Sequence, residues 1–321
     1  MKATALWHIL PTESTLQQAS LASLKEGQVL IKSLYSLIST GTERLVAKGF
    51  VPNSMYENMR VPFMKGTFDF PLKYGYSLVG KIISNGALKG QLVHLLHPHQ
   101  DYLIVDSQMI SVVPNGISSK RAALASNIET ALNAVWDSGV SIGDRVVVVG
   151  FGMIGGLLAR VLSKIPAVEL FVVEKNKFRA RLAKKMGFKV NPANLKNLDI
   201  SYHTTSSTQG LQTSIDAVGM EGKIVELSWY GTKETKVNLG GDFHYQRKQI
   251  ISSQVAHIPF TKQVRWDYQR RKKVVWELLQ DPLFEEHLTH EVLFANTPTF
   301  FNQLRTSNVA DEGLGWVIRY E

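Results

Sequence analysis

One short run constrains the fold of this chain more than any other: from Arg145 it reads Arg-Val-Val-Val-Val-Gly-Phe-Gly-Met-Ile-Gly-Gly. Four consecutive β-branched residues are typical of a strand that is buried on both faces. The glycines that follow, Gly150, Gly152 and Gly155, have G-x-G-x-x-G spacing. This spacing permits a tight turn, close approach of the backbone to a pyrophosphate, and close packing of a helix on a sheet.

The residues around the glycines strengthen this signal, which is weak alone. A helix is expected to begin near Met153 and Ile154, so that phosphates would lie at its N-terminus. The segment Glu169–Val173 reads as a second strand, and Glu174 follows it. A carboxylate at this distance accepts hydrogen bonds from the adenosine ribose hydroxyls, so the sequence predicts NAD as the cofactor.

Basic residues beside the predicted acid leave an alternative open. Lys175, Lys177 and Arg179 follow Glu174 and could hold the 2′-phosphate of NADP instead. NAD is favoured because the acid repels that phosphate. A strand–helix–strand unit that binds nothing is the third interpretation.

Composition excludes several classes of protein. The length favours two domains, and 44% hydrophobic residues suffice for globular cores. No apolar window of membrane-spanning length and no signal peptide is evident, so we expect a cytoplasmic protein without a membrane partner. Cysteine is absent, which excludes disulfides and thiolate-bound structural zinc.

The chain is basic, with 36 Lys+Arg against 27 Asp+Glu and a formal charge of +9. This balance favours anionic ligands such as a dinucleotide. Nucleic acid is the rival interpretation, but the densest basic cluster, 265–273, falls on a predicted amphipathic helix. A solvated helix face explains such a cluster more simply. We therefore expect a small-molecule substrate and no nucleic-acid partner.

Periodicity divides the chain into three stretches. Residues 1–121 are rich in short β-branched runs between Gly, Pro and Asn, which is typical of a mostly β domain. Strands and helices alternate over 122–255, which predicts an α/β domain with a doubly wound parallel sheet. The stretch 256–321 returns to mixed structure. The later elements are predicted as strands at 199–203, 223–228, 289–294 and 316–320 and helices at 208–218, 266–280 and 299–304.

The order of these elements resembles the medium-chain dehydrogenase/reductase superfamily. Its motifs are matched by Gly41-Thr42-Glu43, by Gly75-Tyr76-Ser77-Leu-Val-Gly80, by Gly143-Asp-Arg-Val and by the tail from His287. The resemblance spans essentially the whole chain. It implies a GroES-like catalytic domain made of 1–121 and 256–321, a Rossmann domain of 122–255, and an active site in the cleft between them. It also suggests a homodimer.

Within this superfamily, the segment Ile38–Leu45 is most similar to the branch that includes bacteriochlorophyllide hydroxyethyl dehydrogenase. That branch oxidises a secondary alcohol on a large macrocycle with NAD. The identity of the substrate is not carried over to this chain.

The resemblance also indicates where zinc would bind in zinc-dependent members. Those positions are Thr40, or Ser39 if the alignment shifts by one residue, with Tyr76 and Ser126. Neutral hydroxyls are poor zinc ligands beside imidazole, thiolate or carboxylate, so we expect no zinc. The cysteine-rich structural zinc lobe is missing as well.

The histidines His94, His97 and His99 suggest a metal site by their spacing. Pro98 weakens the strand that would align two of them, and no carboxylate is evident nearby. A polar lining of the active site and a purely structural role are the other interpretations.

Without zinc, oxidation of an alcohol needs another group to handle the hydroxyl proton. Tyr76 is the first candidate because a phenol both donates and accepts, although its pKa would need lowering. A buried structural tyrosine is the alternative. Thr42 and Glu43 are the next catalytic candidates, since the resemblance places their segment at the floor of the active site. Glu43 could instead pair with Arg44.

Four more residues are predicted to contact the cofactor. Thr130 does so by resemblance, close to the nicotinamide. Thr204 and Thr205 end a strand at its carboxyl end, where open α/β sheets bind ligands. Trp229 follows the next strand and could wall the nicotinamide or cap the core.

Together these features predict a zinc-independent oxidoreductase that transfers a hydride between NAD(H) and an alcohol or carbonyl substrate. Two alternatives stay open. One is an NAD(P)H-dependent reductase of enones or quinones, which needs no strong acid or base beside the reacting carbon. The other is a catalytically idle dinucleotide-binding protein, suggested by the loss of the zinc ligands.

Overall fold

The computed structural model describes residues 1–320 and divides them into two compact units. The first unit consists of Met1–Ser126 and of the segment from Leu279 onward, and the second is Asn127–Leu278. The unit boundaries thus differ from the domain boundaries expected from the sequence, which placed the second domain at 122–255.

The shift of the later boundary has a physical reason in the helix Tyr268–Leu278. Its residue Lys272 donates to Glu129 at 2.7 Å, and Arg271 lies 3.5 Å from the same carboxylate. Glu129 belongs to the second unit, so these contacts attach the helix to that unit. A helical period alone does not reveal such partners.

The strands and helices follow in chain order. In the N-terminal part of the first unit they are β1 (Lys2–Leu10), β2 (Glu13–Ser20), β3 (Gln28–Ile38), α1 (Thr40–Ala47), β4 (Lys65–Gly66), β5 (Leu72–Lys73), β6 (Leu78–Ile82), β7 (Leu92–Leu95), β8 (Tyr102–Asp106), β9 (Ser111–Val112) and α2 (Ser119–Ala122). The helix α3 (Ala125–Ser138) leads into the second unit, which continues with β10 (Arg145–Val149), α4 (Met153–Leu162), β11 (Glu169–Val173), α5 (Lys177–Lys185), β12 (Lys189–Val190), β13 (Leu198–His203), α6 (Thr208–Ala217), β14 (Val218–Glu226), α7 (Asp242–Tyr245), β15 (Gln249–Ser252), α8 (Phe260–Gln263) and α9 (Tyr268–Leu278). The tail contains β16 (His290–Leu293), α10 (Thr297–Thr306) and β17 (Trp316–Arg319). Short 3-10 helices occupy Asn53–Met55, Ser107–Met109, Pro282–His287, Phe294–Asn296 and Val309–Glu312. Across residues 1–320, none of the helices combines the length and the apolar character needed to cross a bilayer.

The first unit is mostly β, as its short β-branched runs predict. Its described residues form one sheet with the order β2-β1-β5-β4 and another with the order β16-β17-β3-β6-β7-β9, in which β8 also pairs with β3. Trp316 of β17 lies opposite Ile38 of β3 in an antiparallel pair. The tail therefore completes the N-terminal sheet, as the superfamily resemblance implies. Buried aliphatic residues such as Ile31, Leu78 and Val93 form part of the core.

The second unit contains a parallel sheet with the order β12-β11-β10-β13-β14-β15. This order is that of a Rossmann fold, whose ligand crevice lies where the order reverses, here at the carboxyl ends of β10 and β13. Residues 146–149 of β10 have at most 2% of their surface exposed. The valine run is thus a strand buried on both faces, and the predicted fold class is confirmed.

Several elements were not predicted, among them α1 and β15. The helix α1 begins Thr-Gly-Thr after its N-cap Ser39, and residues of low helix propensity obscure its helical period. The strand β15 is short and largely exposed at the end of the sheet, so it lacks the apolar pattern of a buried strand. Both omissions concern segments whose structure depends on tertiary contacts.

Candidate functional site

The glycine turn follows β10 and leaves room where a pyrophosphate would approach. Gly150 has φ +102°, and a Cβ there would meet Thr204 Oγ1 at 2.7 Å; one at Gly155 would overlap the Gly150 carbonyl oxygen. At Gly152 the nearest atom to such a Cβ would be Arg179 Nη1 at 3.9 Å. Two glycines are therefore required by the fold itself, whereas Gly152 leaves open space for a ligand.

Glu174 follows β11, as predicted, and ties that strand to the glycine turn. It is 7% exposed. Its Oε2 accepts from the Phe151 amide at 2.7 Å, and its Oε1 accepts from the Asn176 amide at 2.7 Å. Carboxylate oxygens have further lone pairs, so the group can still accept ribose hydroxyls. These contacts fit an NAD site.

The other predicted contacts on this side of the sheet are placed as follows. Met153 and Ile154 open helix α4. Arg179, whose amide is capped by the Asn176 side chain, directs its guanidinium toward Gly152. Lys175 has an exposed side chain. Arg179 is thus the basic residue of the predicted set that lies beside the glycine turn.

Thr204 and Thr205 follow β13 and pack against the turn. Thr204 Oγ1 donates to the carbonyl oxygens of Val149 and Gly150, each at 3.1 Å. The methyl group of Thr205 lies 2.7 Å from where a Gly150 Cβ would be. The structure therefore brings both threonines against the glycine turn. Thr130 lies in α3, and Trp229 follows β14 as a partly exposed side chain.

The sequence did not predict a buried chain of hydrogen-bonded side chains that includes Thr205. His203 is fully buried, with Nδ1 2.8 Å from Glu226 Oε2 and Nε2 2.6 Å from Thr205 Oγ1. Thr205 Oγ1 in turn lies 2.7 Å from Ser207 Oγ. His203 and Glu226 are register partners on neighbouring parallel strands, and no local sequence pattern reports this register.

In the first unit, Tyr76 and Thr42 lie together. The Tyr76 hydroxyl forms hydrogen bonds with the side chains of Ser39 and Thr42. Burial, and then the negative charge of Glu43, raise the pKa of Tyr76 to about 12. The lowered pKa that a catalytic base needs is therefore not provided. At neutral pH this phenol stays protonated and can donate a hydrogen bond.

Glu43 is buried beside them at 1% exposure and pairs with His99 rather than with Arg44. One of its oxygens accepts from the Ser39 amide at 2.8 Å, and the other lies 2.8 Å from His99 Nε2. His99 Nδ1 lies 2.8 Å from Ser36 Oγ. Glu43 therefore holds the N-terminus of α1 and the His99 ring in place, and it does not face solvent.

Gly75 explains how the imidazole fits there. It has φ +126°, and a Cβ at this position would come within 3.0 Å of His99 Nε2. The glycine of the Gly75-Tyr76-Ser77 motif thus admits the His99 ring behind the backbone that carries Tyr76.

The residues at the family zinc positions do not fit zinc. Ser126 Oγ donates to the Tyr76 carbonyl at 2.9 Å, and the Tyr76 hydroxyl is bonded to Ser39 and Thr42. All of these donors are neutral hydroxyls, which compete poorly for zinc with thiolate, imidazole or carboxylate. Within residues 1–320, no group of three or more His, Asp or Glu side chains is arranged to hold a metal ion.

The histidines His94, His97 and His99 have partners within the protein. His94 Nε2 lies 3.0 Å from Ser77 Oγ, and His97 Nδ1 lies 2.8 Å from the Pro98 carbonyl. Burial and then the charge of Lys73 lower the pKa of His97 to about 3. With His99 paired to Glu43, the geometry supports the structural interpretation for these residues.

Part of this sequence is similar to proteins of known activity. No protein-family model matches the chain. It is 26% identical over 215 residues to D-guloside 3-dehydrogenase of Escherichia coli K12, a match that covers 62% of this chain and 61% of the relative. It is also 26% identical over 189 residues to 2-dehydro-3-deoxy-L-galactonate 5-dehydrogenase of Pseudoalteromonas atlantica, covering 50% of this chain and 55% of the relative. The matched part thus spans less than two thirds of these relatives.

Solved structures match over nearly the full length. L-idonate 5-dehydrogenase of Escherichia coli K-12 has a TM-score of 0.78 at 15% identity and covers 99% of this chain and 98% of that one. An alcohol dehydrogenase of Escherichia coli CFT073 with bound NADH has a TM-score of 0.75 at 15% identity and 99% coverage of both chains. S. aureus TarJ with NADPH also has a TM-score of 0.75 at 15% identity, with full coverage of both. The chain therefore has the fold of these dehydrogenases, and the relatives that it matches in sequence are named as dehydrogenases as well.

Proposed function

We propose that this protein is a zinc-independent oxidoreductase that uses a nicotinamide cofactor, NAD(H) in preference to NADP(H), on an alcohol or its carbonyl. The single observation that carries the proposal is the complete dinucleotide fingerprint. Gly152 leaves open space at the turn, and the Glu174 carboxylate braces it from β11. The named relatives, which are dehydrogenases, support the same class of reaction.

The residues of the second unit would hold the cofactor. The turn from Gly150 to Gly155 would accept the pyrophosphate, with Arg179 beside it, and Glu174 would accept the ribose hydroxyls. When bound, the nicotinamide would supply or take up the hydride. The preference for NAD(H) rests on the buried Glu174 carboxylate, whose charge repels a 2′-phosphate.

The proton chemistry would fall to the first unit. Because the pKa of Tyr76 is raised to about 12, its phenol can donate a hydrogen bond to a substrate oxygen at neutral pH. Such a donor assists reduction of a carbonyl, since the oxygen gains negative charge in that direction. The adjacent hydroxyls of Ser39 and Thr42 give the phenol partners with which it can exchange a proton.

Zinc independence is the second part of the proposal. It is supported by the hydroxyl donor set at the family positions, Ser39, Thr40, Tyr76 and Ser126. The similarity of Ile38–Leu45 to the bacteriochlorophyllide hydroxyethyl dehydrogenase branch, and the names of the relatives, suggest two substrate sets. One is bulky macrocyclic alcohols or ketones, and the other is sugar-derived ones.

The proposal is tested by titrating the purified protein with NADH and NADPH and then supplying both substrate sets. We expect tighter binding of NADH, oxidation of NADH by at least one carbonyl, and substoichiometric zinc by elemental analysis. Glu174→Gln keeps the shape of the side chain and removes its charge. It should therefore reduce the difference between the affinities for NADH and NADPH. Binding of NADH with no turnover on any carbonyl would instead indicate the idle binder, and one tightly held zinc per chain would refute zinc independence.

A further inference from the structure

A chain of hydrogen bonds links the side chains of Glu226, His203, Thr205 and Ser207 next to the glycine turn. We propose that His203 and Glu226 are positioning residues that set the nicotinamide half of the cofactor crevice by fixing loop 204–207 against the glycine turn. This inference rests on the proposed use of a nicotinamide dinucleotide.

The hydrogen bonds of the chain have a defined direction. The Glu226 carboxylate can only accept, so His203 Nδ1 donates to it at 2.8 Å. In the tautomer that carries its proton on Nδ1, Nε2 then accepts the Thr205 hydroxyl proton at 2.6 Å. The Thr205 oxygen is left to accept from Ser207, whose own oxygen accepts from the Gly210 amide at 3.1 Å. Each polar group of the chain therefore has a partner, which fixes the rotamer of Thr205.

That rotamer matters because the other face of Thr205 meets the glycine turn. Its methyl group lies 2.7 Å from the ideal Cβ position of Gly150, so no space separates the loop from the turn. A change in the Thr205 rotamer would remove this methyl group from its contact with the turn. The position of the crevice wall is thus set by a hydrogen bond to a buried imidazole.

Glu226 fixes the neighbouring loop as well. It accepts from the Ser228 amide at 2.7 Å and from the Tyr230 hydroxyl at 3.1 Å. Ser228 Oγ accepts from the amide of Ser206, a non-glycine residue with φ +50°. A strained backbone conformation of this kind persists where surrounding contacts hold it in place. The loops after β13 and β14 are therefore held by one carboxylate.

A carboxylate–imidazole–hydroxyl series also invites comparison with a nucleophilic triad, but packing excludes that use. A Cβ at Gly210 would overlap Thr205 Oγ1 and would lie 2.9 Å from His203 Nε2. The hydroxyl is thus enclosed by the first turn of α6 and cannot reach a substrate carbonyl. Positioning is the role that the geometry permits.

The order of the sheet assigns this role to one half of the dinucleotide. Glu174 follows β11 on one side of β10, whereas His203 and Glu226 end β13 and β14 on the other side. The acid after β11 serves the adenosine ribose in this fingerprint, so the buried chain serves the nicotinamide half. Loss of one of these hydrogen bonds should therefore lower the affinity for NADH more than the affinity for AMP.

The test is equilibrium titration of the full chain with NADH and with AMP. His203→Asn keeps a donor toward Glu226 and loses the acceptor for Thr205, and it should bind NADH roughly tenfold more weakly, with AMP affinity almost unchanged. His203→Gln restores an acceptor near the Nε2 position and should recover part of the loss. Ser201→Ala, a buried residue of β13 outside the chain of hydrogen bonds, serves as the matched control and should behave like the wild type.

A second variant keeps the inference testable if the His203 variants fail to fold. Thr205→Val preserves shape and removes the hydroxyl, and it should give the same selective loss of NADH affinity. Equal losses for NADH and AMP in Thr205→Val, or wild-type affinity in every variant, would overturn the inference. A wild-type protein that binds neither NADH nor NADPH would instead refute the proposed function.

Discussion

At the scale of single residues, Tyr76 has the most direct consequence for chemistry. Tyr76→Phe removes the phenolic donor and should slow carbonyl reduction by roughly a hundredfold or more, while NADH affinity stays the same. Steady-state kinetics with separate titration of NADH checks this. Tyr74→Phe is the matched control, because the Tyr74 hydroxyl donates to the Met59 carbonyl and not into the candidate site. Unchanged turnover in Tyr76→Phe would remove this residue from the mechanism.

Lys73 gives a pH-dependent prediction. It is 6% exposed, it donates to Gln100 Oε1 at 2.5 Å, and burial followed by the charge of Lys65 lowers its pKa to about 8. The folded chain therefore binds this proton less well than the unfolded chain does. Below about pH 8 the charged amine destabilises the fold, and the penalty disappears as the pH rises from about 8 toward 10.5.

Replacing that amine should therefore stabilise the protein at neutral pH. Lys73→Met should raise the free energy of unfolding by about 2 kcal/mol at pH 7, after allowance for the lost bond to Gln100. Urea denaturation of both proteins at pH 7 and pH 10 should show the gain shrinking at the higher pH. Lys65→Met, at its exposed cross-strand neighbour, should change stability little. A gain that is independent of pH would contradict the assigned cause.

At the scale of elements, the turn that carries Tyr76 depends on Gly75. Gly75→Ala places a methyl group against the His99 ring on a backbone with φ +126°. Gly86 has φ +134° with nothing within 4 Å, so Gly86→Ala reports the backbone strain alone. Gly75→Ala should be the more destabilising by about 1–2 kcal/mol in urea denaturation. Equal losses would show that the His99 ring moves aside without cost.

The glycine turn permits a second comparison, between folding and binding. Gly152 has φ −82° and open space before it, so Gly152→Ala should change the free energy of unfolding by less than about 0.5 kcal/mol. The added methyl group nevertheless occupies the approach to the turn, and NADH affinity should fall at least roughly tenfold. Gly155→Ala, in contrast, should destabilise the unliganded protein, because its Cβ overlaps the Gly150 carbonyl. Thermal denaturation with and without NADH measures both effects.

Elements that depend on local sequence patterns could be predicted, whereas contacts between distant segments could not. The order β10–α4–β11 and the position of Glu174 directly after β11 could be predicted because the valine run, the glycine spacing and the acid are local patterns. The pairs His203–Glu226 and Glu43–His99 could not, since each depends on the register or contact of strands and helices that are distant in sequence. The raised pKa of Tyr76 was unpredictable for the same reason: it reflects burial and a neighbouring charge.

At the scale of the whole molecule, the outer edge of the second unit's sheet bears on assembly. The strand β15 ends the sheet order, and Ile250 is 41% exposed on it. An exposed edge strand favours pairing with another chain, so we predict a homodimer through β15. Light scattering coupled to size-exclusion chromatography should give twice the mass of one chain. The Ile250→Lys variant should give the mass of a monomer. Phe260→Ser, at an exposed residue of α8, should leave the dimer intact.

The pairing of β17 with β3 determines when the first unit can be completed during synthesis. The whole second unit lies between those strands in the sequence, so β3 lacks its neighbour β17 until that strand has been synthesised. The second unit is continuous and can fold before that moment. The Tyr76 site is therefore built on a sheet that is completed last, and a nascent chain should bind the dinucleotide before it can catalyse anything.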